Sequence, residues 1–237
     1  MRTALLPLLL LLATYVNAQE DSAQEVSSEN NKVYKVNPGE RVGEALLNNG
    51  LYQYPKFTQA QVLYKNGGYG NGLLNYNRLT GEMQFIDPNG DTLALNNEPE
   101  IEMVTIDKDT FYYSNGYLQK VEDFSARVAK QTYLEMTNRE RKGLYGNTTQ
   151  AAVNTHTTVV TDLGFKDLVP QEVLTFRERT VYFIGDRFGR FKPLNKKNVL
   201  YLYSKKEREV SEYLKTNPVN FLEEEDVMRL IGFLKTL

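Results

Sequence analysis

Short apolar runs separated by turn residues fill the first half of the chain. From Lys32 to about Met136, stretches rich in Tyr, Val, Leu and Ile are interrupted at close intervals by Asn, Gly, Asp and Pro. This pattern is typical of antiparallel strands joined by tight turns. It predicts strands at 58–64, 69–77, 82–86, 91–95, 101–106, 110–113 and 117–122. Because the connections are short, we expect a meander of sequential hairpins.

The pattern is less regular in the following segment. The run 125–136 begins with alternating apolar and polar positions and then becomes ambiguous, and residues 137–170 are polar and threonine-rich without a clear period. We interpret 137–170 as a long loop. Strand patterns return at 173–176, 180–184 and 190–192, which predicts one more hairpin.

Helical signals dominate the carboxy terminus. Ser204 followed by Glu207, and Asn220 followed by Glu223, fit the capping box, in which two side chains satisfy free backbone donors at a helix start. Apolar stripes at helical spacing follow these signals: Val210, Tyr213 and Leu214, then Val227, Leu230, Ile231 and Leu234. A shorter helix is predicted near 195–203. These amphipathic helices should pack on the sheet.

The order of these elements predicts an α+β fold. We expect a predominantly antiparallel β-sheet meander of hairpins with a C-terminal helical segment packed on it. A single domain would span 32–237, with a β-rich part at 32–193 and a helical part at 194–237.

The amino terminus has the pattern of a cleavable signal peptide. Arg2 provides a positive charge, Leu5 to Leu12 an apolar run broken by Pro7, and Val16 to Ala18 small residues for cleavage. We therefore assign 1–18 to a signal peptide cleaved near Ala18-Gln19. The polar residues 19–31 are interpreted as a disordered leader. The mature protein is expected to be soluble in the periplasm or outside the cell, without a transmembrane segment.

Composition narrows the possible partners. Residues 1–18 contain one charged side chain, Arg2, so cleavage leaves 28 − 1 = 27 basic against 30 acidic side chains. This near balance argues against nucleic acid as a partner. The chain contains no cysteine, which excludes disulfides and lipid attachment to cysteine.

Two segments carry a resemblance to known proteins. Residues 72–113, which open with GLLNYNRLTGEMQF, and residues 179–217 resemble a group of uncharacterised exported proteins of Bacteroidota. The shared features are turns, tyrosines and helix starts, and they extend over most of the mature chain. The resemblance implies export and does not imply a particular activity.

Residues suited to catalysis or metal binding are sparse. His156, the single histidine, stands among threonines without a nucleophile-elbow motif. Asp87 to Asp91 contains oxygen ligands around a glycine, but it lacks the distant glutamate of a calcium loop and suits a hairpin turn. The acidic run 223–226 suits a helix start. We predict no catalytic, metal or cofactor site and favour a non-enzymatic protein, with a hydrolase built on converging carboxylates as an alternative.

Other residues indicate a possible interaction surface. The chain has 16 tyrosines and 11 phenylalanines but no tryptophan, and tyrosine suits both interfaces and cross-strand pairs. Three glycines share one strand face and would let a ligand or another backbone approach, although a twisted or bulged strand also explains them. The lysines of 192–206 form a locally basic patch that could meet an anionic lipid headgroup or an acidic partner, or face water. The candidate residues are Tyr64, Tyr69, Tyr76, Gly68, Gly70, Gly72, Lys196 and Lys197.

These features favour a binding function in the cell envelope. The first hypothesis is a non-enzymatic exported cell-envelope protein, a binding or accessory component of an envelope assembly whose partner is another envelope protein. The alternative is a carrier or binding protein for a lipid or glycan ligand, with the curved sheet as a cup and the helices as its cover. A large internal pocket would favour the carrier, and a packed core would oppose it.

Overall fold

The computed structural model describes residues 32–142, 148–152 and 167–237, with the backbone alone at 141–142 and 148–152. The predicted signal peptide, the leader and His156 lie outside the described residues. No helix in these ranges is long and apolar enough to cross a membrane.

Strands and short helices make up the described chain. The strands are β1 (Val33–Val36), β2 (Thr58–Tyr64), β3 (Tyr69–Tyr76), β4 (Met83–Ile86), β5 (Thr92–Ala94), β6 (Ile101–Ile106), β7 (Asp109–Tyr113), β8 (Tyr117–Asp123), β9 (Arg127–Lys142), β10 (Thr148–Ala152), β11 (Val173–Gly185) and β12 (Phe191–Pro193). The helices are α1 (Val42–Leu47), α2 (Lys196–Leu202), α3 (Glu207–Thr216) and α4 (Glu224–Leu234).

All twelve strands belong to one antiparallel sheet. Its order is β1-β11-β9-β8-β7-β6-β2-β3-β4-β5, with β10 paired to β9 and β12 paired to β11. The strands β2 to β5 and β6 to β9 form two runs of sequential hairpins, and the pairing of β2 with β6 joins these runs. The predicted fold class, an antiparallel meander with C-terminal helices packed on it, is confirmed.

The prediction of a loop at 137–170 is wrong, because the structure forms strands in two described parts of this range. Strand β9 continues to Lys142, and β10 pairs with its end. The segments predicted at 173–176 and 180–184 also form one continuous strand, β11. The polar side chains that obscured the pattern find partners across the β9–β11 pair, where Arg179 Nε donates to Glu135 at 2.8 Å. Cross-strand pairing of this kind stabilises strands that lack apolar alternation.

Helix α1 falls within the segment that was predicted to contain only strands. It has six residues, too few for a helical period to be recognised in the sequence. Val42 and Leu46 are fully buried and pack with Phe176 of β11 and Met136 of β9. Tertiary packing therefore stabilises this short helix.

The two predicted capping boxes are also wrong. Ser204 begins a short 3-10 turn, and α3 starts at Glu207 without a side-chain cap. Asn220 caps a turn, because its Oδ1 accepts from the Leu222 N–H, while Asp226 Oδ2 accepts from the Asn220 N–H at 2.7 Å. The carboxylate that reaches back from α4 is thus Asp226, three residues after the Glu223 that the sequence pattern suggested.

Four apolar clusters of the described residues share the sheet, and the smallest unites Tyr112, Leu118 and Ala129. The helix cluster unites α2, α3 and α4 with Val128 and Ile184, and the α1 cluster covers Leu134 and Phe176 at the other end of β9 and β11. The sheet cluster lies among β2 to β8 themselves. Its Tyr76 ring lies 6.0 Å from Phe111, although a flat sheet would separate β3 from β7 by about 14 Å. The sheet therefore curls onto itself and encloses this cluster.

Candidate interaction site

The structure divides the predicted interaction residues among three places. Tyr69 is exposed on β3, beside the glycines at 68, 70 and 72, and Tyr64 lies on the paired strand β2, where it packs against the sheet cluster. Tyr76 is only 2% exposed, so it belongs to the core and not to a surface. Lys196 and Lys197 are exposed at the start of α2, which packs on β11, six strands from β3 in the sheet order.

A tight turn builds the β2–β3 hairpin. The Tyr64 N–H donates to the Gly68 carbonyl at 2.9 Å, and the Gly67 N–H donates to the Tyr64 carbonyl at 2.8 Å. Gly67 has φ +83°, a conformation that glycine adopts at little cost. Asn66 Oδ1 accepts from the Gly68 N–H at 2.8 Å, which closes the turn. The hairpin holds the start of β3 in a defined register against β2.

The outer edge of β3 is open over much of its length. Residues 69–74 pair with β2, but β4 pairs only with Leu74 to Tyr76. Because Tyr64 and Gly68 form a hydrogen-bonded pair, the alternation of an antiparallel ladder turns the backbone groups of Tyr69, Asn71 and Leu73 away from β2. Among the described residues, no strand pairs with that edge before Leu73.

The turn after β4 explains why the pairing stops there. Strand β4 ends at Ile86, and the next residues fold back toward β5. Asp87 Oδ1 accepts from the N–H groups of Asn89 and Asp91 at 2.9 and 2.8 Å. The carboxylate is satisfied inside a hairpin turn. Within the described ranges, no group of three His, Cys, Asp or Glu side chains is arranged to hold a metal ion.

The two faces of the open edge differ in character. Tyr69 and Leu73 are 69% and 43% exposed on one face, and Gly70 and Gly72 lie on the other. A Cβ added to Gly70 would meet no atom within 4 Å, and Gly70 does not have positive φ. Neither sterics nor backbone conformation requires glycine at this position. Yet glycine inside a strand costs roughly 0.5–1 kcal/mol relative to alanine.

The edge also lacks the usual protection against pairing. Exposed edges in natural sheets commonly contain lysine, proline, or a bulge that twists the strand away. Residues 69–73 read YGNGL and contain no charge and no proline, and the β2–β3 register runs without a bulge from Thr58 to Leu63. The open edge is therefore able to accept another strand.

Sequence reasoning missed Asn71 and Leu73. Both follow Tyr69 at two-residue spacing, so strand alternation alone places them on the same face and could have identified them. The opening of the edge depends on β3 being longer than β4, which pairs only with the last three residues of β3.

Several carboxylates of the described chain are hydrogen-bonded to tyrosines. Tyr54, Tyr112 and Tyr113 donate to carboxylates at 2.8, 2.7 and 3.0 Å. The acceptors are Asp109, Asp123 and Glu98, respectively. Burial is the largest cause that raises the pKa of these three tyrosines, and the hydrogen bonds raise it further. The donors act as neutral tyrosines that hold loops and strand ends in place.

Two other carboxyl groups have a lowered pKa, whereas a general acid needs a raised one. A hydrogen bond from Lys235 lowers the pKa of Glu122, and one from Arg190 lowers the pKa of Asp186. A glycosidase acid requires a raised pKa and a second carboxylate across a cleft. Glu122 and Asp186 do not meet the first of these requirements.

A small cavity lies where residues 168–172 cross the end of β11. Its volume is about 240 Å³, and its lining includes Leu168, Pro170, Leu174 and the ion-paired Arg139 and Glu172. Pockets that enclose drug-sized ligands measure about 300–1,000 Å³. This cavity is below that range.

Comparison with known proteins provides no relative. No protein-family model, no curated protein and no solved structure matches this chain.

Proposed function

We propose that this protein is a non-enzymatic, exported component of the cell envelope that binds another envelope protein through the open edge of β3. The observation that carries the proposal is the uncharged, unpaired edge at 69–72, with a glycine at position 70 that the fold does not need. The partner contributes an extended segment, which becomes an additional strand of the sheet.

The backbone provides most of the attraction in this binding mode. Tyr69 and Asn71 each present an N–H and a C=O outward, Leu73 presents its N–H, and the added strand pairs with these groups. The side chains of Tyr69 and Leu73 contact alternate side chains of the partner, while bare Gly70 leaves room for a large side chain on the other face. Because the edge is short, the interface is small, and we expect an affinity of about micromolar.

Export is supported by the sequence of the amino terminus and by the resemblance to exported proteins. Arg2, the apolar run from Leu5 to Leu12 and the small residues near Ala18 have the order of a signal peptide. The mature chain then begins at Gln19, which amino-terminal sequencing of the protein recovered from an envelope fraction would establish.

The test replaces one backbone donor at the edge. In Asn71→Pro, the lost N–H points away from β2, so the β2–β3 ladder remains and the hairpin stays folded. The matched control Asn71→Ala removes the side chain but keeps the N–H. Each variant and the wild type would be purified from its own cell envelope under native conditions, and co-purifying proteins would be quantified by mass spectrometry.

We expect the wild type and Asn71→Ala to recover the same partner in stoichiometric amount, and Asn71→Pro to recover about tenfold less. Equal melting temperatures of the three proteins would show that folding is unaffected. Recovery of the partner by Asn71→Pro, or recovery of the wild type alone, would contradict the proposal. A wild type that carries a lipid or glycan in place of a protein would support the carrier alternative, which the small cavity beside Arg139 does not favour.

A further inference from the structure

The segment from the β11–β12 turn to the start of α3 is strongly basic. Between residues 187 and 206 the chain contains no acidic residue. The basic residues there are Arg187, Arg190, Lys192, Lys196, Lys197, Lys205 and Lys206. Since the whole chain has a formal charge of −2, this positive charge is a local feature and not a general property of the protein.

An aromatic ring lies at the tip of the β11–β12 turn among these charges. Phe188 is 69% exposed, and the guanidinium groups of Arg187 and Arg190 lie 4.9 and 5.5 Å from its ring centroid. Asp186 Oδ1 accepts from the N–H groups of Phe188 and Arg190 at 2.9 and 3.2 Å. Gly189, with φ +74°, completes the turn. The turn therefore presents Phe188 to solvent in a defined conformation.

A second exposed ring lies against a lysine of the same basic segment. Tyr201 of α2 is 68% exposed, and Lys192 Nζ lies 4.0 Å from its ring centroid. Lys197 is one helical turn before Tyr201 on the same face of α2. A hydrogen bond to Asp186 is the main cause that raises the pKa of Arg190, and Tyr201 contributes as well, which places Tyr201 within electrostatic reach of the turn. We call Arg187, Phe188, Arg190, Lys192, Lys197 and Tyr201 the basic aromatic surface.

The exposed rings distinguish this surface from an ordinary solvated charge run. Lysine and arginine facing water need no aromatic neighbours, whereas here two rings that could bury apolar area remain largely exposed between cations. Anionic lipids attract clustered lysine and arginine, and aromatic rings are favoured at the level of the lipid headgroups. One surface combines both requirements.

We propose that the basic aromatic surface docks the protein on an anionic lipid bilayer, with Phe188 inserted among the headgroups. Arg187, Lys192 and Lys197 pair with lipid phosphates, while Arg190 keeps its ion pair with Asp186. The surface is separate from the open edge of β3, which lies six strands away from β11 in the sheet. Peripheral attachment to the membrane and binding of an envelope protein therefore involve different residues, and each is tested by variants that leave the other surface intact.

The experiment measures co-sedimentation of the purified protein with vesicles. Phosphatidylcholine vesicles are compared with vesicles that also contain phosphatidylglycerol, at low and at high salt. We expect binding only to the anionic vesicles and a steep loss of binding with salt. Lys192→Gln/Lys197→Gln lowers the partition coefficient about twenty-fivefold, because each cation near the membrane surface contributes about fivefold. The matched control Lys35→Gln/Lys108→Gln removes the same charge from exposed positions elsewhere and has a much smaller effect.

The role of the ring is tested with Phe188→Ala and, as its control, Tyr69→Ala, since both side chains are 69% exposed. Only Phe188→Ala should weaken vesicle binding, by about tenfold. The proposal would be overturned by equal binding to neutral and anionic vesicles or by no binding to either. Equal losses of binding in the test and control variants would overturn it as well. Salt-sensitive self-association in sedimentation velocity without vesicle binding would overturn it too, because a second copy would then be the partner of this surface.

Discussion

At the scale of single residues, Arg78 connects parts of the chain that lie far apart in sequence. Its Nη1 donates to Glu178 of β11 at 2.8 Å, and its Nε donates to Gln53 at 2.9 Å. Its carbonyl accepts from the Leu134 N–H of β9, and its own N–H donates to the Leu51 carbonyl. One residue in the β3–β4 connection thus joins the curled part of the sheet to the long β9–β11 pair.

Replacing this arginine should destabilise the protein clearly. The side chains of Arg78 and Glu178 are only 14% and 21% exposed, so Arg78→Met leaves a mostly buried carboxylate without its partner. We expect a loss of about 2–4 kcal/mol in the free energy of unfolding, measured with urea. The control is Arg208→Met, whose ion pair with Glu212 is exposed and should contribute less than about 0.5 kcal/mol. Similar losses in both variants would contradict this account of Arg78.

At the scale of elements, the glycines of the described chain serve different purposes. Gly50, which follows α1, has φ +93°, and a Cβ there would lie 2.6 Å from the Tyr34 hydroxyl oxygen. Gly70 has neither constraint. The conformation of the chain after α1 therefore depends on glycine, whereas strand β3 would form with other residues at position 70.

Two alanine substitutions should accordingly change stability in opposite directions. Gly50→Ala introduces strain at a positive φ and a clash, so we expect a loss of about 2 kcal/mol or more. Gly70→Ala should raise stability by up to about 0.5–1 kcal/mol, because alanine lowers the entropy of the unfolded chain. Urea unfolding measures both values. A loss of stability in Gly70→Ala would mean that the fold requires this glycine, which would remove one support of the proposed strand-binding site.

At the scale of the whole molecule, strands β9 and β11 connect the apolar clusters. Val128 and Ile184 pack under α2 to α4, while Leu134 and Phe176 of the same two strands pack with α1. The β8–β9 pairing and Arg78 link this pair to the sheet cluster. Since each cluster shares a strand or a hydrogen bond with its neighbour, the described chain should unfold as one unit.

A substitution in the helix cluster tests this cooperativity. Leu230 of α4 is fully buried, so Leu230→Ala should lower the free energy of unfolding by about 2–5 kcal/mol. Far-UV circular dichroism reports mainly secondary structure, and tyrosine fluorescence includes the signal of the five tyrosines in or against the sheet cluster, Tyr54, Tyr64, Tyr76, Tyr113 and Tyr117. Both urea midpoints should move together. A lower midpoint in only one signal, or two separate transitions, would show that the helices and the sheet cluster are independent units.

Local patterns were sufficient for most of the strands. The predicted ranges of β2 and β6 match the structure at both ends, and those of β3, β4, β7 and β8 differ by one residue. Apolar alternation and turn residues act over a few neighbouring positions, so the sequence displays them directly. Where the stabilising contacts come from distant residues, as in α1 and the end of β9, no local pattern indicates the element.

The sequence by itself determined the class of the fold, the places of most of its turns and the alternation of tyrosine and glycine at the start of β3. Only the tertiary structure decided that β2 pairs with β6, that Tyr76 is buried while Tyr69 is exposed, and that β4 leaves 69–72 uncovered. Turns and alternation depend on backbone preferences of adjacent residues, whereas strand order and open edges depend on which distant segments bury the most apolar surface together.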